Sequence, residues 1–99
     1  MKFDHVAMIS KNIKKSVDWY VDNWNAEILY QDDTWGMIKM GNIKIAFVTP
    51  QQHPAHVCFE IDLDFAANHL DAKTFKPHRD GSSSIYVRDI DNNFLEYFL

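Results

Sequence analysis

His5-Val6-Ala7-Met8-Ile9 and His56-Val57-Cys58-Phe59-Glu60 are one phrase written twice, an imidazole followed by residues suited to a strand. Laying the two over each other also places Gly41-Asn42-Ile43-Lys44-Ile45 over Asn92-Asn93-Phe94-Leu95-Glu96. The spacing, about fifty residues, is an internal repeat with too few copies for a solenoid, and it fits a pseudo-two-fold pair of modules.

Outward from the first phrase, residues 2–9 alternate and are rich in Val, Ile, Met and Phe, which reads as a strand. Asn12 is placed to cap a helix whose apolar face is Ile13, Val17, Tyr20, Val21 and Trp24, with Lys14, Lys15, Asp18 and Asp22 opposite. Asn25 tolerates a left-handed stop. Three β-prone runs follow, EILYQ (27–31), WGMIKM (35–40) and NIKIAFV (42–48), divided by an acidic turn at Asp32 and Asp33 and by a Gly41-Asn42 hairpin. TPQQHPA (49–55) has two prolines and no apolar period, so it reads as a connector.

Outward from the second phrase the order starts again. AHVCFEID (55–62) is a strand, Asp64 caps a short helix from 65 to about 72, and TFKPHR (74–79), SSIYVRD (83–89) and NFLEYFL (93–99) are three further strands. The expected fold is therefore α+β in a single 1–99 domain. Two βαβββ modules, about 1–49 and 56–99 with 50–55 between them, form a curved mixed sheet with the helices on its convex face.

Residues two apart on a strand share a face. His5, Ala7 and Ile9 share one, as do His56, Cys58 and Glu60, while the bulkier Val6 and Met8, or Val57, Phe59 and Ile61, take the face that packs under a helix. Glu96 and Phe98 likewise lie opposite Leu95, Tyr97 and Leu99. His5, His56 and Glu96 thus all project from the face the helices leave open. Two imidazoles and one carboxylate suit a divalent cation with open coordination positions.

Composition bounds the function. The chain has 99 residues, 46% of them hydrophobic, with a net charge of −4 and scattered lysines, so no basic stripe exists to follow a nucleic-acid backbone. No apolar stretch approaches the ~18 residues of a membrane span, and charged Lys2 and Asp4 interrupt any leader-like start. A single cysteine, Cys58, sits in an apolar run and points to a reducing compartment, with the cytoplasm as the expected location.

With these elements in place, the chain resembles the vicinal oxygen chelate superfamily, which includes glyoxalase I, methylmalonyl-CoA epimerase, fosfomycin-resistance thiol transferases, extradiol dioxygenases and bleomycin-resistance proteins. The matching words are DHVAMISKNIKKSVDWYVDNW, the second His-Val-Cys-Phe-Glu strand, and Asp89-Ile90-Asp91-Asn92-Asn93-Phe94-Leu95-Glu96, similar to the family's D-P-D-G-N-x-x-E ending. Ile90 and Asn92 replace its usual Pro and Gly, and Asn still tolerates the positive φ of the turn. The resemblance implies that His5, His56 and Glu96 occupy metal-ligand positions on the first, fifth and eighth strands. Glyoxalase I's fourth ligand falls on Ile45, which cannot coordinate, so that identity is disfavoured.

The expected function is a metal-dependent enzyme. One divalent ion (Fe, Mn, Ni, Co or Zn) chelates adjacent oxygens of a small metabolite for lyase or isomerase-type chemistry, with an Fe(II) extradiol-type dioxygenase as the alternative. A non-catalytic, bleomycin-resistance-like binding protein is a third reading. Tyr86 and Glu60 are the candidate proton-transfer residues. Trp35, Met37, Lys39, Ile45, Phe47, Arg88 and Phe98 are candidates for the substrate wall, Arg88 as an anion-binding group or paired with Asp89 or Asp91. His53 and His69 read as surface residues, and His78 and Arg79 as a strand end near the rim. A homodimer is expected, because a domain this small buries its core poorly.

Overall fold

Asn12 and Asn25 bracket the first helix as the sequence predicts. The Asn12 side chain accepts from the backbone N–H of Lys15, and Asn25 closes helix α1 (Ile13–Trp24) in the left-handed region at φ 55°, its N–H reaching the carbonyls of Tyr20 and Val21. The computed structural model describes residues 1–78 and 81–99. The remaining elements are β1 (Lys2–Ile9), β2 (Glu27–Gln31), β3 (Trp35–Met40), β4 (Ile43–Val48), β5 (His56–Glu60), α2 (Leu63–His69), β6 (Lys76–Pro77), β7 (Ser83–Arg88) and β8 (Phe94–Phe98). The order is βαβββ twice, and the parallel and antiparallel pairings are mixed, so the fold is α+β.

Two compact units form, one of His5–His56 and one of Met1–Asp4 with Val57–Leu99. In the first, the strand order is β2-β3-β4-β1, with β4 antiparallel to β3 and parallel to β1. Its core lies under α1, where Ile13, Val17, Ala26, Ile38 and Phe47 are buried and Tyr20, Val21, Met40 and Ile45 pack around them. Trp24, assigned to that apolar face, lies at its edge and stays exposed. The opposite face carries a smaller cluster of Ala7, Ala46 and Val48 with Met37 against it. Register explains the division: Val6 and Met8 of β1 align with Ile45 and Phe47 of β4, whereas Ala7 and Ile9 align with Ala46 and Val48.

This corrects two sequence assignments. Ile45 and Phe47, expected in the substrate wall, pack beneath α1 instead. The two-residue hairpin pairs Met40 with Ile43, so odd positions of β4 align with even positions of β3. Trp35, Met37 and Lys39 therefore share their face with Val48, Ala46 and Lys44, opposite Ile45 and Phe47.

In the second unit the order is β5-β8-β7-β6, and β7 is antiparallel to both neighbours. Phe59 stacks on Tyr97 at 5.8 Å, and Tyr97 meets Phe65 of α2 at 5.6 Å, so these rings mark the helix side. Asp62, two residues before the expected cap Asp64, starts α2 by accepting from the N–H of Phe65. The strand expected over 74–79 shrinks to Lys76–Pro77, paired with Ser84 and Ser83. Residues Ala72–Thr74 wind into a 3-10 turn, and Pro77 lacks the N–H a longer ladder needs. Arg79 and Asp80 lie outside the described residues.

The turn before β8 follows the family-like motif. Asn92 adopts φ 66°, and Asp89 accepts from the N–H groups of Asp91 and Asn93 through one oxygen and from the Asn93 amide through the other. These bonds hold the Asp89 carboxyl below its usual pKa, the Asn93 side chain contributing most. Ile90, where the family has Pro, points into solvent.

Candidate functional site

The first unit brings two imidazoles together. His5 is half-buried and His56 is buried, with ring centroids 6.0 Å apart and planes at 68°. His5 shares a face with Ala7, the face that α1 leaves open, as strand parity predicts. Nδ1 of His56 lies 2.7 Å from the carbonyl oxygen of Pro54. A carbonyl only accepts, so Nδ1 carries a proton, and in the neutral ring Nε2 is the nitrogen with the lone pair. A backbone carbonyl that fixes the tautomer in this way is what a metal-ligating histidine ordinarily has behind it. His53, read from sequence as a surface residue, has its ring 6.5 Å from that of His56.

The second unit brings Glu96 and Tyr86 together. They are directly opposed across the β7–β8 ladder, and the phenol donates to the carboxylate. Burial, followed by the charge of Glu96 and the nearness of Cys58, pushes the Tyr86 hydroxyl well above its usual pKa. It is therefore a neutral hydrogen-bond donor throughout the physiological range, not a phenolate base. Cys58 is buried, and Glu60 lies exposed at the end of β5 on the same strand face.

Phe98 is half-buried opposite Ser84, whose hydroxyl lies 2.8 Å from Nε2 of His78. That His–Ser contact was illegible in sequence, because it depends on how β6 aligns with β7. Arg88 does not reach for Asp89. Its guanidinium carbon lies 4.8 Å above the ring of Phe94, its partner in the ladder.

His5 and His56 of the first unit and Glu96 of the second are each of a donor type, imidazole or carboxylate, that suits Mn, Fe, Co, Ni or Zn. No helix among the described residues is long and apolar enough to cross a membrane.

No protein-family model matches the chain, and no curated protein matches it in sequence. Solved structures do match in fold. A methylmalonyl-CoA epimerase from Streptomyces coelicolor in complex with 2-nitronate-propionyl-CoA is 14% identical with a TM-score of 0.74, covering 99% of this chain and 96% of its own. The methylmalonyl-CoA epimerase of Mycobacterium tuberculosis is 12% identical with a TM-score of 0.73, covering 98% and 86%. A glyoxalase/bleomycin resistance protein/dioxygenase superfamily member from Vibrio splendidus 12B01 is 9% identical with a TM-score of 0.68, covering 98% of each chain. Over nearly its whole length, therefore, this chain has the fold of the glyoxalase/bleomycin resistance protein/dioxygenase superfamily, the vicinal oxygen chelate fold.

Proposed function

We propose that the protein is a metal-dependent enzyme of lyase or isomerase type, acting on a small metabolite with oxygens on adjacent carbons. In this reading His5, His56 and Glu96 hold one divalent ion. The observation that carries it is the orientation of His56: the Pro54 carbonyl accepts from Nδ1–H, so Nε2 is the nitrogen a neutral ring would offer a metal, and the ring of His5 lies beside it. The fold likeness to epimerases supports the isomerase class over dioxygenase chemistry.

A divalent ion held there would polarise the substrate's paired oxygens and offset negative charge as it builds on them. The chain's own residues do the rest. Tyr86 stays protonated and donates to Glu96, which orients that carboxylate. Glu60, solvated at the end of β5, is the proposed acid–base group, because its exposure allows it to exchange protons with water. Trp35, Met37 and Lys39 on the open face of the first unit, with Phe98 on the second, are the proposed substrate wall. The working form is a cytoplasmic homodimer.

Elemental analysis of protein purified without a metal-affinity tag tests the reading. About one equivalent of a transition metal is expected, and His56→Ala should lose it. An apo protein whose melting temperature ignores added Mn, Fe, Co, Ni and Zn would overturn the enzyme reading in favour of a simple binding protein.

A further inference from the structure

We infer that the substrate carries a carboxylate and that Arg88 binds it, one strand step from Tyr86 and Glu96. The inference deepens the proposed function and rests on it for the chemistry at the substrate's other end. Its grounds lie wholly within the second unit.

Arg88 and Phe94 are partners in the β7–β8 ladder, and Tyr86 and Glu96 are the next pair on the same face. A two-residue step along a strand is about 7 Å. A molecule anchored at Arg88 would therefore present atoms a few bonds away to Tyr86 and Glu96. Arg88 is also held ready for an anion. Its guanidinium carbon lies over the Phe94 ring, 4.8 Å from the centroid, and the residue is exposed, so the group is held near the ring and open to a ligand. Two N–H groups on one edge of a guanidinium match the two oxygens of a carboxylate.

The acid nearest in the chain does not compete, because both oxygens of Asp89 are engaged by Asp91 and Asn93 in the turn. Among the described residues Arg88 makes no ion pair, whereas exposed Lys14 pairs with Asp18 at 2.6 Å. In a chain of net charge −4, a cation fixed on a ring and left without an acidic partner is a specific place for a negative ligand. The substrate class that follows is a small acid, with its carboxylate at one end and oxygens on adjacent carbons at the other.

Two probes of equal carbon number separate the ends: 5,6-dihydroxyhexanoate, which has both features, and 1,2-hexanediol, which lacks the carboxylate. Binding is followed by NMR in zinc-loaded and zinc-free protein, with the Arg88 Nε–Hε signal as reporter. The acid should bind at least about tenfold more tightly than the diol and move that signal. Arg88→Ala should abolish the preference, and Arg88→Lys should keep only part of it, since an ammonium lacks the planar fork.

Equal affinity for the two probes, no binding of the acid, or a preference that survives in Arg88→Ala would each overturn the inference. If Arg88→Ala does not fold, the lysine variant and the wild-type reporter signal still decide. Protein that takes up zinc yet shows no preference sinks this inference alone. Protein that refuses zinc yet prefers the acid through Arg88 sinks the metal reading alone.

Discussion

Proton placement by single hydrogen bonds decides the chemistry of several side chains. The Pro54 carbonyl sets the His56 tautomer, and His56→Ala should lower metal affinity by about a hundredfold or more, read by competition with a chromogenic chelator. Asp32 shows the same physics in a turn. It accepts from the Thr34 hydroxyl and backbone, the Trp35 N–H and the Tyr30 phenol, and these bonds, Thr34's hydroxyl first, hold its pKa far below the ordinary carboxylate range. A folded-state pKa lowered in this way contributes stability above the unfolded value, about 4, and loses it as pH falls through the folded value. Asp32→Asn should therefore lower the urea midpoint at neutral pH, with the gap to wild type narrowing as pH falls below about 4. A gap independent of pH would show that the turn does not depend on the charge. The donor types at His5, His56 and Glu96 were legible in sequence. The hydrogen bond that makes His56 a better donor was not, because it needs the connector's backbone to turn back on the ring.

Among the elements, α1 packs closely on the strands beneath it. A Cβ at Gly36 would meet Ile13 Cγ2 at 3.1 Å and Val17 Cγ2 at 3.2 Å, both side chains from the buried helix face. Gly36→Ala should destabilise the fold by about 1–3 kcal/mol, measured by urea denaturation, since both neighbours are β-branched side chains that are stiff at χ1. Asn12→Ala should cost about 1 kcal/mol in the same assay by leaving the Lys15 N–H without its acceptor. Both ends of α1 were readable because caps are local chemistry. The face assignment of β4 was readable in principle, since a two-residue hairpin reverses parity between its strands, and counting through Gly41-Asn42 would have sent Ile45 and Phe47 under the helix. The short β6 and the earlier start of α2 were harder, because Asp62 and Asp64 are equally good caps until Phe65 chooses the first.

For the molecule as a whole, the proposed metal links to stability. Adding excess EDTA should lower the melting temperature of protein purified with metal bound and leave His56→Ala unmoved, read by scanning fluorimetry. Light scattering should return twice the chain mass; a monomer would remove the dimer from the proposal. What the sequence determined by itself was the repeat, the caps of α1, the strand periodicity and the types of the candidate ligands, all of which depend on neighbours a few residues away or on simple alternation. Only the tertiary structure decided that Nδ1 of His56 meets the Pro54 carbonyl, that His78 meets Ser84, and that Arg88 lies on Phe94 and not with Asp89. Each of those outcomes depends on the register between segments distant in the chain, and a one-residue shift in register exchanges every face.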